Sequence, residues 1–223
     1  MYNPSDKSLA SNREDKPLPV GNRAQSKERN RRKILDSAMT LFRERGFEAA
    51  TLRDIARGAG LSTGALFANF SDKNQIFITV VEDENARVIR VMREAYDESL
   101  GLVERLHKQL MNGYDAAQSN ARLILSAFVM KWSAGQTSIN EVARLSDLVR
   151  YVLLDTLKAA QAAKELPDNA KVECAAEILE DLCFANLRRA FQSSDARAGF
   201  NTEQLSSSLS TQIALVVAGL KAA

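Results

Sequence analysis

The segment from Thr51 to Lys73, TLRDIARGAGLSTGALFANFSDK, constrains this chain more than any other. Thr51 fits a helix N-cap, and Asp54 three residues on completes a capping-box-like pair. Leu52, Ile55, Ala56 and Ala59 then fall on one face of a helix spanning about Leu52 to Ala59. Gly60 supplies a turn, and Ser62 caps a second short helix, Thr63 to Asn69, anchored by Leu66 and Phe70. The small residues Ala56 and Gly60 are expected to let the two helices cross closely. Asp72 starts a further helix with Lys73 in its first turn. Two short helices joined by a tight glycine turn form a helix-turn-helix, which sets one short helix in the DNA major groove.

The second helix of the pair leaves Thr63, Gly64, Ala65, Phe67 and Asn69 toward solvent. Small, uncharged residues are unusual on a solvated helix face, and they suit close approach to base edges and thymine methyls. A lysine in a first helical turn opposes the helix dipole, so Lys73 is expected to meet a phosphate. Upstream, Lys27, Arg29, Arg31, Arg32 and Lys33 open a helix that runs to about Arg45. Its buried face is Ile34, Leu35, Ala38, Leu41 and Phe42, and Gly46 ends it. Two readings of the basic run stand side by side: a solvated first turn, or an arm lying near phosphates or in the minor groove. Charge along the chain bears on the choice. Residues 23–73 carry eleven basic and six acidic side chains, whereas the whole chain has a net charge of only +2. The positive excess sits on the segment with the helix-turn-helix, as a nucleic-acid surface requires.

These residues resemble the tetracycline-repressor (TetR) family of bacterial transcription regulators. The resemblance covers about residues 29–77 and rests on Ile34-Leu35, Ala38, Leu41-Phe42, Gly46, Thr51, Ile55-Ala56, Ala59-Gly60, Ser62, Gly64, Phe67, Phe70 and Lys73. In relatives the threonine matching Thr51 and the lysine matching Lys73 touch phosphates, as does the aromatic residue matching Phe67 when it is tyrosine. Here phenylalanine lacks that hydroxyl, and Asn69 stands where many relatives carry histidine. The resemblance implies an all-α protein with a helix-turn-helix head and a larger helical domain for ligand binding and dimerisation.

The division expected is a disordered tail over residues 1–26, a DNA-binding domain over 27–72 and a ligand-binding and dimerisation domain over 73–223. Long amphipathic helices are predicted over 73–95, 100–118, 120–133, 138–164, 171–192 and 203–221. In the last one, Leu205, Leu209, Ile213, Val216 and Leu220 make a stripe, and Ile178, Leu179, Leu182, Leu187 and Phe191 belong to the helix before. Such stripes fit either packing within one subunit or a four-helix bundle between two copies. The resemblance implies the second, and a two-fold homodimer suits paired half-sites on double-stranded DNA. Met111, Tyr114, Phe128, Met130 and Trp132 in the middle helices are large and soft or aromatic. Each alone reads as core, but the resemblance implies that these helices surround a cavity for a small apolar or amphiphilic effector.

Other function classes find little support. No nucleophile–base pair, metal-ligand spacing or glycine-rich phosphate loop occurs, and His107 is the only histidine, so neither enzyme activity nor a cofactor or metal is expected. No apolar run nears a membrane span and the N-terminus has no apolar signal core, which leads to the expectation of a cytoplasmic protein without a membrane partner. Cys174 and Cys183 stand nine residues apart on opposite faces of one helix and are expected to stay reduced. The reading is a ligand-responsive transcriptional regulator, a repressor released from its operator by a small molecule. An activator, or a helical protein-interaction module that does not bind DNA, remains the alternative.

Overall fold

The computed structural model describes residues 20–120, 123–124, 126–127, 136–193 and 202–222. The described elements are all helical: α1 (Val20–Ala49), α2 (Leu52–Gly58), α3 (Thr63–Phe67), α4 (Lys73–Glu94), α5 (Leu102–Ala117), a 3-10 turn (Gln118–Asn120), α6 (Gln136–Ala162), α7 (Val172–Ser193) and α8 (Thr202–Ala222). The all-α expectation holds. The tail boundary moves, because residues 20–26, expected to be disordered, are the first turns of α1.

Local chemistry explains where the N-terminal helices begin and end. Gly46 adopts φ 81°, ψ 169°, a left-handed value that interrupts α1 after Arg45, and the last residues form a separate turn. Thr51, Ser62 and Asp72 cap α2, α3 and α4, each accepting the backbone N–H three residues on. The end of α2 closes as a Schellman motif: Leu61 N–H bonds the Ala56 carbonyl at 2.9 Å, Gly60 N–H bonds that of Arg57 at 3.1 Å, and Gly60 has φ 66°. Gly60 therefore makes the turn rather than a close crossing, since nothing lies within 4 Å of a Cβ built on it. The close approach is at Gly58, where a Cβ would meet Ser37 Oγ of α1, which itself donates to the Ile55 carbonyl at 2.9 Å.

The buried residues form two clusters. One gathers Ile34, Ala38, Phe42, Ile55, Leu66 and Phe70 of α1–α3 around Ile76, Phe77, Val80 and Val81 of α4. Phe42, Phe47 and Phe77 meet there with ring centroids 4.6–5.7 Å apart. The second joins Val88, Ile89 and Met92 of α4 to α5–α8. Helix α4 thus belongs to both cores. Between its two apolar stretches lies Glu84, only 3% exposed. Its carboxylate accepts two hydrogen bonds from Arg87, at 2.6 and 2.9 Å, and Arg87 also donates to the Ala116 carbonyl at the end of α5. A buried charge needs such a partner. Leu123 and Ala127, from a helical stretch after the 3-10 turn, are buried in the head's cluster rather than the body's.

The C-terminal stripe is placed differently from the sequence expectation. Leu205, Leu209, Ile213 and Leu220 of α8 and Leu179 and Leu187 of α7 are buried in the core of one subunit. Leu209 and Ile213 are 0% exposed and offer a second copy no surface. Leu182, Val216 and Cys183 are partly buried. Four-residue periodicity marked most of the buried face, with Val217 rather than Val216 at 2% exposure, but not its partner, which is α5 and α7 of the same chain. Cross-links confirm the docking: His107 Nε2 of α5 lies 3.1 Å from the Ser206 carbonyl and 3.0 Å from its hydroxyl, and Asn186 of α7 donates to Gln212 at 2.7 Å. His107 is therefore a satisfied structural group. By length and composition alone α8 could cross a membrane, contrary to the expectation that no run approaches that length, and 28% of its apolar stretch is buried among the described residues. Its outer face, with Leu215 70% exposed, has no partner within the described residues.

Candidate nucleic-acid interface

The exposed face of the head is built by α3. Thr63, Gly64, Phe67 and Ala68 lie at i, i+1, i+4 and i+5, and all four are exposed. Phe67 leaves 52% of its surface to solvent. The opposite side, Leu66 and the following Phe70, is held in the core. Ala65 and Asn69 are half-buried between the two faces. Ala68 was missed by the sequence reading, although its spacing of four residues from Gly64 was available as a signal.

Several expected contacts find other partners. Lys73 Nζ donates to the carbonyls of Phe47 (2.9 Å), Glu48 (3.3 Å) and Ala50 (3.2 Å) and sits 4.2 Å from the Phe47 ring centroid. All three ammonium donors are taken up by carbonyls at and just past the C-terminal end of α1, where helix and cation polarity agree. The unfavourable position of Lys73 at the start of α4 is thus offset inside the protein, so no phosphate is required for it. The Thr51 hydroxyl accepts from Asp54 N–H at 3.1 Å and donates to Asp54 Oδ2 at 2.7 Å, which commits its single proton. That bond, with a smaller contribution from the paired Arg57, holds the Asp54 carboxyl below the usual carboxylate range. Ser62 Oγ accepts from Ala65 N–H at 3.1 Å and keeps its own proton for another acceptor. Asp72, the α4 cap, is likewise held below the usual range, first by the Gln75 N–H.

Asn69 is not part of the open face either. Its Nδ2 donates back to the Ala65 carbonyl at 2.8 Å, and its Oδ1 is buried without a partner. The basic run divides in the same way. The Arg31 guanidinium stacks 4.5 Å over the Phe70 ring, and Arg32 pairs with Asp36 at 3.4 Å on the surface. Lys27 and Arg29 are exposed on the extension of α1. Arg23, Lys27 and Arg31 repeat every four residues on the side of α1 that carries Ile34 and Ala38. Arg31 thereby brings this basic edge beside the end of α3.

The expected effector residues are only partly placed. Tyr114 is buried in the body core, 3% exposed, and its hydroxyl donates to the Cys183 carbonyl at 2.9 Å. Burial pushes its pKa well above the ordinary value, and pushes the Cys183 thiol up to about 11. Met111 packs partly buried against the same core. Phe128, Met130 and Trp132 lie outside the described residues. An open groove of about 600 Å³ on α8 is lined by Glu203, Gln204, Ser207, Ser208, Thr211 and Gln212. Its polar walls do not match the apolar cavity expected. Among the described residues no group of His, Cys, Asp or Glu could hold a metal ion.

Comparison with known proteins bears on the same head. Residues 34–80 match the family model of bacterial regulatory proteins, tetR family. The chain is 31% identical over 123 residues to the HTH-type transcriptional repressor AcnR of Corynebacterium glutamicum, covering 52% of this chain but only 63% of that protein. A putative TetR-family transcriptional regulator from Rhodococcus sp. superposes with a TM-score of 0.70 at 20% identity, covering 85% of this chain and 99% of the other. The TetR-family repressor FadR of Thermus thermophilus, solved in complex with lauroyl-CoA, gives 0.65 at 21% identity, over 85% of this chain and 94% of the other. At these identities the two structures show a shared fold.

Proposed function

We propose that this chain, whose residues 34–80 match the family model of bacterial regulatory proteins, tetR family, is a ligand-responsive DNA-binding regulator acting as a repressor. The observation that carries this reading is the head: caps at Thr51, Ser62 and Asp72 and the glycine turn at Gly60 fix α2, α3 and the start of α4, and an uncharged α3 face lies outward beside a basic edge of α1. Lys27 and Arg29 supply phosphate contacts in this reading, and Ser62, Thr63, Gly64, Ala68 and Phe67 approach the groove. From Val20 to the buried Ile34 the helix reaches about 20 Å at 1.5 Å per residue. The arm is thus helical, and in this reading it offers its basic side to the same duplex.

The working unit proposed is a homodimer formed by the outer faces of α7 and α8, with Ile178 and Leu215 at its centre. Both are exposed apolar residues, 45% and 70% respectively. Two heads on a two-fold axis then meet half-sites about 34–36 Å apart. The effector is a small apolar or amphiphilic molecule; the acyl-CoA held by the Thermus FadR fold supports that chemistry. Helix α4 supplies the route, since its first half is core to the head and its second half core to the body. To move DNA-competent protein from 99:1 to 1:99 the effector must favour the other state by about 5.5 kcal/mol. Nothing in this reading calls for catalysis, and its place of action is the cytoplasm.

Mobility-shift titration of the full chain against duplexes flanking its own gene tests the proposal. Saturable binding that resists excess random DNA is expected, weakened by acyl-CoA or another amphiphile. Equal affinity for every duplex would overturn it.

A further inference from the structure

Between Leu61 and Lys73 only Asn69 and Lys73 carry a side-chain N–H. The Asn69 amide is turned onto the Ala65 carbonyl of α3, with Oδ1 buried, and the Lys73 ammonium is held by the carbonyls of Phe47, Glu48 and Ala50. The nearest arginine on α2, Arg57, is paired with Asp54, and Arg31 covers Phe70. The side chains that discriminate guanine or adenine by bidentate hydrogen bonds are therefore missing from the α3 face. What the face does present is a hydroxyl and methyl at Thr63, bare backbone at Gly64, a phenyl ring at Phe67 and a methyl at Ala68. A hydroxyl donates or accepts and so selects poorly among bases.

We propose that this head identifies its DNA by the 5-methyl groups of thymines, through apolar contact with Phe67, Ala68 and the Thr63 methyl, rather than by hydrogen bonds to purine edges. The inference rests on the regulator reading above and specifies what that surface reads. The major groove displays one apolar group, the thymine methyl, and half of the Phe67 surface awaits an apolar partner. Gly64 completes the geometry. A Cβ there would meet nothing nearer than Ser62 Oγ at 3.9 Å, so the protein itself leaves room for alanine. The empty position instead lets the α3 backbone lie close to the base edges between Thr63 and Phe67.

The test begins by selecting a site from a random duplex library with the full chain. Each thymine is then replaced by deoxyuridine, which removes only the methyl. Loss of about fourfold per contacted methyl is expected at two or more positions in each half-site. The variant Phe67→Ala should erase that loss at one such position, because the methyl has lost its partner. Gly64→Ala should keep or raise thermal stability yet weaken binding to the selected site. Deoxyuridine effects below twofold at every position, or a penalty unchanged in Phe67→Ala, overturn the methyl readout while leaving a DNA-binding regulator. Failure to enrich any sequence overturns the regulator reading itself, and the methyl readout with it.

Discussion

The head and the C-terminal helix pair each leave one face without a partner among the described residues, and the two faces are built oppositely. On α3 the exposed residues are Thr63, Gly64, Phe67 and Ala68, bordered by the cations of α1. On α8 they include Ser208, Thr211, Leu215, Ala218 and Gly219, with Lys221 as the only cation of the helix. A small uncharged face inside a basic frame suits a polyanion whose bases must be approached closely. A small uncharged face without that frame gains nothing from a polyanion and suits an identical surface, where helices can approach closely. The frame, more than the face, distinguishes the proposed DNA surface from the proposed protein surface.

The inner and outer sides of α8 give the strongest way to break this comparison. Leu209→Asp places a carboxylate where exposure is 0%. It should cost about 4 kcal/mol or more and abolish cooperative melting, since Leu209 belongs to an apolar cluster and a charge buried there is costly. Leu215→Asp, on the outer face, should leave helicity and the monomer core intact. Sedimentation should then show monomer where the unmodified chain shows dimer. If Leu209→Asp gives a folded monomer instead, the stripe is an interface after all, and the division between inner and outer faces fails.

Lys73 tests the head from within. It joins α4 to the last turn of α1 through three carbonyls. Hydrogen bonds to a charged group contribute about 1.5–3 kcal/mol when lost, and Lys73 is partly exposed, so Lys73→Met should destabilise the head by about 2 kcal/mol. DNA affinity measured well below the melting point should keep its salt slope. A slope lowered by about one unit, with melting unchanged, would falsify the internal role and restore the phosphate contact.

The two regions also differ in how much of them the sequence discloses. Caps are local: Thr51 with Asp54, Ser62 with Ala65 and Asp72 with Gln75 span three residues each, and their geometry follows from residue type. The turn at Gly60 is similarly local. Helix types in the head and the starts of α2, α3 and α4 could therefore be read directly. The destination of a long side chain is not local. Lys73 reaches back more than twenty residues to α1, and Arg31 reaches Phe70. Neither partner is announced by spacing. The stripe of α8 fails for the same reason: its period fixes which side is buried, whereas the identity of the neighbour depends on how α5 and α7 come together.

The smallest expected effect concerns a motif that both regions share. Helix α6 ends as α2 does: Glu165 N–H bonds the Ala160 carbonyl at 2.9 Å and Lys164 N–H that of Gln161 at 3.1 Å. In the head the left-handed residue is Gly60, and in the body it is Lys164, at φ 62°. A side chain in that conformation costs about 1–2 kcal/mol that glycine avoids. Lys164→Gly would also lose the ion pair with Asp168 at 2.7 Å, but both partners are more than two-thirds exposed, where such pairs contribute little. Glycine enlarges the unfolded ensemble, which takes back part of the gain. The balance is a stabilisation of about 0.5 kcal/mol, read as a small rise in melting temperature. Gly60→Ala, the reverse change in the head, should cost about 1 kcal/mol and weaken DNA binding as well, because the same turn sets the angle between α2 and α3. Equal and opposite shifts without any change in DNA affinity would show that the turn ends a helix in both places and orients nothing in either.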